Sequence, residues 1–134
     1  MSITIKSTEL HKLLFVTDEE KQEGIFLDFE NGKKEFKCWW TNGQLWEHRF
    51  YENDKRHGEY KWWHSNGQLY VHRFYKKDKR HGEYKEWHSN GQLYVHRFFE
   101  NGKLHGECKS WYDDGRLYAH ESYKNGTIIK NYLK

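Results

Sequence analysis

The chain has 134 residues, 32% charged and 19% aromatic, with a formal net charge of +3. Its mean hydropathy of −1.23 is that of a polar chain, yet seven Trp, ten Tyr and eight Phe are more rings than a disordered segment carries, so the sequence folds around aromatic side chains. The length suits a single domain over 1–134. Two Cys make no disulfide framework. The lack of a long apolar run, and of a leader in "MSITIKSTELHKLLFV", predicts an intracellular, cytoplasmic protein.

Taken in chain order, residues 1–23 fit no pattern well and are expected to form an N-terminal cap and the start of a degraded unit, "EEKQEGIFLDF" at 19–29. Tandem copies then occupy 24–126: "KKEFKCWWTNGQLWEHRF" at 33–50, "HGEYKWWHSNGQLYVHRF" at 57–74, "HGEYKEWHSNGQLYVHRF" at 81–98 and "HGECKSWYDDGRLYAHES" at 105–122. The period is 24 residues without a gap, and Glu35/Glu59/Glu83/Glu107, Lys37/Lys61/Lys85/Lys109, Trp39/Trp63/Trp87/Trp111, Gly43/Gly67/Gly91/Gly115, Leu45/Leu69/Leu93/Leu117 and His48/His72/His96/His120 are the same in all four. Repetition inside one chain reports a repeated structural need. Residues 127–134, "TIIKNYLK", are expected to be a closing strand.

Each unit holds two turn signals, "TNGQ/SNGQ/SNGQ/DDGR" and "ENDK/KKDK/ENGK/KNGT". Gly after Asn or Asp between short aromatic and β-branched runs marks a hairpin, because the tight reversal needs positive φ. What remains between turns has strand length and no helical period. The fold class is therefore all-β: an elongated single-layer antiparallel meander of tandem β-hairpins. The first unit lacks the two residues that separate turn from strand in "NGKLHGECKSW".

"NGKLHGECKSWYDDGRLYAHESYKNG" resembles a MORN repeat, in the variant type of bacterial antitoxin-like proteins and of giant DNA viruses. The resemblance covers residues 24–130 and implies a non-catalytic scaffold or partner-neutralising module, with a viral accessory role among the expectations. Typical MORN units carry Gly where this chain has Tyr60, Tyr84 or Cys108, and again where it has Arg73 or Arg97. That departure weakens any transfer of the phospholipid binding proposed for typical members.

Strand alternation sorts side chains onto two faces. A three-residue turn, Ser65-Asn66-Gly67, would set Trp63 beside Leu69 and Glu59 beside Arg73. The Trp and Leu rows are then expected to pack as ladders that hold the sheet. The opposite face is expected to bind a partner through Tyr60, Trp62, Tyr70, His72, Phe74, Tyr84, Tyr94, His96 and Phe98. Contiguous aromatic surface rimmed by charge marks an interaction site. The partner is a protein or a second copy of the chain, giving a homodimer.

The alternative reading uses the basic turn edge, Lys55, Arg56, Lys76, Lys77, Lys79, Arg80 and Lys103, to bind nucleic acid or phospholipid headgroups. Neither a metal nor a cofactor is expected. Equivalent His in successive units lie about 9.5 Å apart at ordinary strand spacing, too far to share one zinc ion without a further ligand. With no nucleophile elbow, phosphate loop or convergent carboxylate pair, an enzyme is not expected.

Overall fold

The computed structural model describes residues 10–17, 23–29 and 31–134. The cap expected at the N-terminus lies partly outside the described residues. Twelve strands form one antiparallel sheet: β1 (Leu10–Thr17), β2 (Glu23–Phe29), β3 (Lys33–Trp39), β4 (Leu45–Glu52), β5 (Lys55–Trp63), β6 (Leu69–Lys76), β7 (Lys79–Trp87), β8 (Leu93–Glu100), β9 (Lys103–Leu104), β10 (Gly106–Trp111), β11 (Leu117–Lys124) and β12 (Thr127–Asn131). Strands neighbour one another in chain order, with the short β9 pairing only β8. The described residues contain no helix, so none long and apolar enough to cross a membrane. The fold is the all-β open meander that the repeated hairpins predict.

Two kinds of reversal alternate, each dictated by its residues. On one edge Asn53-Asp54, Lys77-Asp78, Asn101-Gly102 and Asn125-Gly126 all have positive φ at both central positions, the requirement of the tight two-residue turn whose twist matches the strands. On the other edge the three-residue loop Ser65-Asn66-Gly67 is closed by His64 N–H donating to the Gln68 carbonyl at 2.8 Å and Gly67 N–H to the His64 carbonyl at 3.0 Å.

Successive turns on an edge are also bonded to each other. Asp78 N–H donates to the Arg56 carbonyl (2.9 Å) and Gly102 N–H to that of Arg80 (2.9 Å). Across the sheet, Asn42 and Asn90 donate their side-chain amides to the carbonyls of Ser65 and Asp113, both at 2.8 Å. Backbone groups that would lie unpaired at the rim are thereby satisfied.

Two bulges per unit set the register. Trp62 pairs with Val71 but Trp63 with Leu69, leaving Tyr70 as an extra residue. The same slip occurs at Trp46, Tyr94 and Tyr118. The expected pairing of Trp63 with Leu69 is observed. The expected pairing of Glu59 with Arg73 is not, because Glu59 pairs with Phe74 and Arg73 with Tyr60. The bulge puts Tyr70 and Val71 on one face and carries Arg73 and Tyr75 with them.

The second bulge opposes one Phe to three residues. Arg73 pairs with Tyr84 and Tyr75 with Arg80, so Phe74 faces His81-Gly82-Glu83. The corresponding Gly58 has φ +99° and lies 3.7 Å, at an added Cβ, from the Phe50 Cβ. There is room there for a methyl group, but the backbone angle suits only glycine. Between β2 and β3 the register runs unbroken. The two residues missing from the first unit are those of this bulge.

One face, here the tyrosine face, carries most of the buried side chains of the repeats. Val71 and Val95 are 4% and 3% exposed there, and Tyr60, Tyr75, Phe99 and Cys38 are also buried, whereas Ile25 and Leu27, opposite Lys37 and Glu35, are buried on the other face. The expectation that the Trp and Leu rows form the principal packing is corrected: those residues are on the opposite face, and Trp63 and Leu69 are only half-buried. Burial arises instead where long side chains lean across neighbouring strands. Along one line Phe36, Arg49, Tyr60, Arg73, Tyr84 and Arg97 alternate ring and guanidinium. Arg49 sits 4.4 Å over Phe36 and Arg73 4.4 Å over Tyr60, contacts that are worth most where water is excluded.

Cys38 and Cys108 are not bonded to each other. They lie in β3 and β10, six steps apart in strand order, or roughly 29 Å at ordinary strand spacing. A disulfide needs Cα atoms within about 7 Å. Oxidation of the folded protein is expected to leave no intrachain bond, and a Cys38–Cys108 linked peptide in mass spectrometry would contradict this topology.

Candidate interaction surface

The repeat builds an aromatic strip along the edge of the tyrosine face. The residue after each Trp of the Trp row meets the bulged residue of the returning strand. Ring centroids are 5.0 Å apart for Trp40–Trp46, 4.5 Å for His64–Tyr70, 4.6 Å for His88–Tyr94 and 5.2 Å for Tyr112–Tyr118. Trp62 links the pairs, 6.1 Å from Trp46 and 6.0 Å from Tyr70. Trp40 Nε1 donates to the Trp63 carbonyl at 3.2 Å, and His88 Nε2 lies 3.0 Å from the Trp111 carbonyl, tying the first unit to the second and the third to the fourth. The strip is exposed: Tyr70 is 38% and Tyr118 60% accessible.

Beneath the strip the tyrosine face is polar and carries tyrosine–carboxylate hydrogen bonds. Tyr60 Oη donates to the buried Glu47 carboxylate, which also lies 3.1 Å from Arg49 Nη1. Burial and this carboxylate push the Tyr60 phenol up to about 12. Tyr84 Oη donates to Glu86 at 3.0 Å. At the far end a hydrogen bond to Glu121, with some burial, pushes Tyr123 up to about 12. Burial raises the Cys108 thiol, making it a poor nucleophile.

The opposite face, the triad face, carries the same three polar side chains in every unit. Glu59 lies 3.1 Å from Lys61 and 3.3 Å from His72; Glu83 lies 3.3 Å from Lys85 and 3.0 Å from His96. Glu35 repeats the arrangement with Lys37 and His48, and Glu107 with Lys109 and His120. The rings of His48, His72 and His96 also pack on the Phe two residues on, at 4.9 Å for His72–Phe74 and for His96–Phe98, while His120 stacks on Tyr132 at 4.0 Å. This is the structural need behind the invariant Glu, Lys and His. Among the described residues no group of His, Cys, Asp or Glu is placed to hold a metal ion.

The register divides the nine side chains expected on one face. Tyr60, Trp62, Tyr70, Tyr84 and Tyr94 share the tyrosine face, whereas His72, Phe74, His96 and Phe98 belong to the triad face. The reason is the bulge at Tyr70 and Tyr94, through which simple alternation was carried unbroken. Trp40, Trp46, Tyr112 and Tyr118, the outer members of the strip, were missed. Their signal was an aromatic or His immediately after each repeated Trp.

The basic edge is likewise divided. Arg56 is committed: its Nε lies 3.2 Å from Asp78 and its guanidinium 4.4 Å over Tyr75. Lys55 and Lys103 pair across their turns with Glu52 and Glu100. Lys76, Lys77, Lys79 and Arg80 line one cleft together.

An open meander with one surface motif displayed four times is the architecture of a repeat-type interaction module. A family model for the MORN repeat variant matches residues 34–53, 56–77, 80–101 and 104–125, more than half of the chain, and the chain belongs to that family. The first match is two residues shorter than the others, at the unit that lacks the second bulge. No protein with a curated description matches the chain. MORN repeats mediate interactions with proteins and membrane lipids and are generally non-catalytic.

Proposed function

We propose that the chain is a non-catalytic scaffold that binds a protein partner, or a second copy of itself, through the aromatic strip of the tyrosine face. The observation that carries this reading is the line of four ring pairs from Trp40 to Tyr118, exposed along one edge. Large rings with a polar tip give contact area at small entropic cost, and they dominate protein interfaces. Trp62, Tyr70 and Tyr94 make the central contacts, while Tyr60 and Tyr84 support them from below. His72, Phe74, His96 and Phe98 serve the triad face. Two cysteines kept as thiols, one buried and one with a raised pKa, suit a reducing, cytoplasmic setting. Partner neutralisation, as the resemblance to antitoxin-like and viral variants implies, is one form such scaffolding takes.

The test compares the chain with a Tyr70→Ser, Tyr94→Ser double variant. Both positions are exposed, so circular dichroism and melting should be unchanged within about 0.5 kcal/mol. Light scattering over a concentration series reads self-association, and capture from native lysate reads a foreign partner. The association seen with the parent chain should resist high salt, because ring burial is little screened, and should be lost in the variant. Equal association by both proteins, or association that salt abolishes, would refute the reading.

A further inference from the structure

The four two-residue turns differ in one respect that bears on ligand binding. In β4–β5 the turn is flanked by Glu52 opposite Lys55, and Glu52 also lies 3.3 Å from His57. In β8–β9 Glu100 lies opposite Lys103 and 3.4 Å from His105. In β6–β7 the glutamate is replaced by Lys76, which stands opposite Lys79. His81, the counterpart of His57 and His105, has thereby lost its carboxylate. Like charges directly opposite one another destabilise a strand pair.

The remaining groups deepen the imbalance. Lys77 occupies the position of Asn53 and Asn101. The turn's one carboxylate, Asp78, is engaged by the preceding turn, accepting from Arg56 N at 2.9 Å and Arg56 Nε at 3.2 Å. Among the described residues, no carboxylate lies within ion-pairing distance of Lys76, Lys77, Lys79, Arg80 or His81. These five and Asn101 enclose a cleft of about 190 Å³. Arg80 is steadied by its guanidinium lying 5.3 Å from the Phe99 ring, a contact that leaves N–H edges free to donate.

We propose that this cleft at the tip of the β6–β7 hairpin binds a small multivalent phosphate anion, a polyphosphate or phosphate ester. The cleft offers ammonium, guanidinium and amide donors, and its lining includes no carboxylate that would repel an oxyanion. A dianion or trianion bound between Lys76 and Lys79 replaces their mutual repulsion by attraction. The site stands at the rim, apart from the aromatic strip, and does not rest on the partner reading.

The same scaffold supplies the control. Lys76→Glu restores the arrangement seen at Glu52, Lys55 and His57, so this variant should fold and melt at or above the parent temperature. Lys124→Glu makes the same charge change at the equivalent place in the last hairpin, where Lys124 faces Thr127. Calorimetric titration with tripolyphosphate, in about 0.15 M salt, should show one site in the parent chain. Affinity should fall about tenfold or more in Lys76→Glu, as for loss of a charge-assisted contact, and should hold in Lys124→Glu. The absence of binding in the parent chain, or equal affinity in all three proteins, would overturn the proposal. So would an equal loss in both variants, which would report net charge alone. A short single-stranded oligonucleotide bound where tripolyphosphate is not would overturn it in favour of a nucleic-acid surface.

Discussion

Tyr60→Ala is expected to lower the unfolding free energy by about 3–5 kcal/mol, the range for removing a buried aromatic ring. The ring is 9% exposed, lies under the Arg73 guanidinium at 4.4 Å, and donates to a Glu47 that is itself only 8% exposed. Alanine therefore opens a cavity, removes a cation–π contact and strips one partner from a buried carboxylate. Tyr60→Phe isolates the last of these and should cost about 1–3 kcal/mol. Trp63→Ala removes a larger but only half-buried ring and should cost about half as much as Tyr60→Ala. Urea titrations with unchanged m-values would measure all three. A greater loss at Trp63 than at Tyr60 would mean that the sheet is held by the triad face.

Acidification is expected to destabilise the fold in two stages. Burial holds the His72 imidazole below its ordinary value of 6.5, against the opposing pull of Glu59 and with Lys61 and Lys85 close by. The folded chain thus resists a proton that the unfolded chain accepts, so stability falls as pH drops through about 6.5 toward the folded value. The carboxyls of Glu35, Glu59 and Glu83 lie below their ordinary 4.5, held there chiefly by hydrogen bonds from His48, Lys61 and His96 respectively. Their contribution is present above 4.5 and is lost as pH falls through the folded values. Protonating all ten His would also carry the formal charge from +3 toward +13, adding general repulsion. The melting temperature should drop by about 5 °C between pH 7 and 5, then more steeply below 4.5. His72→Gln should flatten the first stage and leave the second. A melting temperature that rises on acidification to pH 5 would contradict this account.

The gapless period, both kinds of turn and the pairing of Trp63 with Leu69 could be read from the sequence, because each rests on local chemistry that glycine and asparagine announce. The faces could not be read by alternation. One extra residue at Tyr70 rotates Val71, Arg73 and Tyr75 to the other side of the sheet, and two adjacent apolar residues look the same in a continuous strand and in a bulge. A signal was nevertheless present. Glu59, Lys61 and His72, invariant among the units, can meet only in the shifted register. The aromatic strip was half legible. Tyr70 and Tyr94 stood out, but their neighbours His64 and His88 gained meaning only once the three-residue loop brought them within 4.5–4.6 Å of those rings.

The bonds between successive turns have a consequence for how such a chain can change length. Each joins a residue to its counterpart about one unit away, as Gly102 N–H to the Arg80 carbonyl and Asp78 N–H to that of Arg56. If residues 57–80 were excised, Arg56 would run directly into His81, as Arg80 does now. Gly102 would then meet the carbonyl of Arg56, an arginine where it meets an arginine now. The backbone bonds and turns would be remade with one fewer repetition of each, and the side-chain change would fall at Glu47, which would stand opposite Glu86 where it now faces Trp62. Loss of a single residue would instead slide every following side chain to the wrong face. The copy number of this architecture can thus vary in whole units, while inside a unit the faces are kept only when length changes by two, as in the first unit, which lacks the two residues of the second bulge.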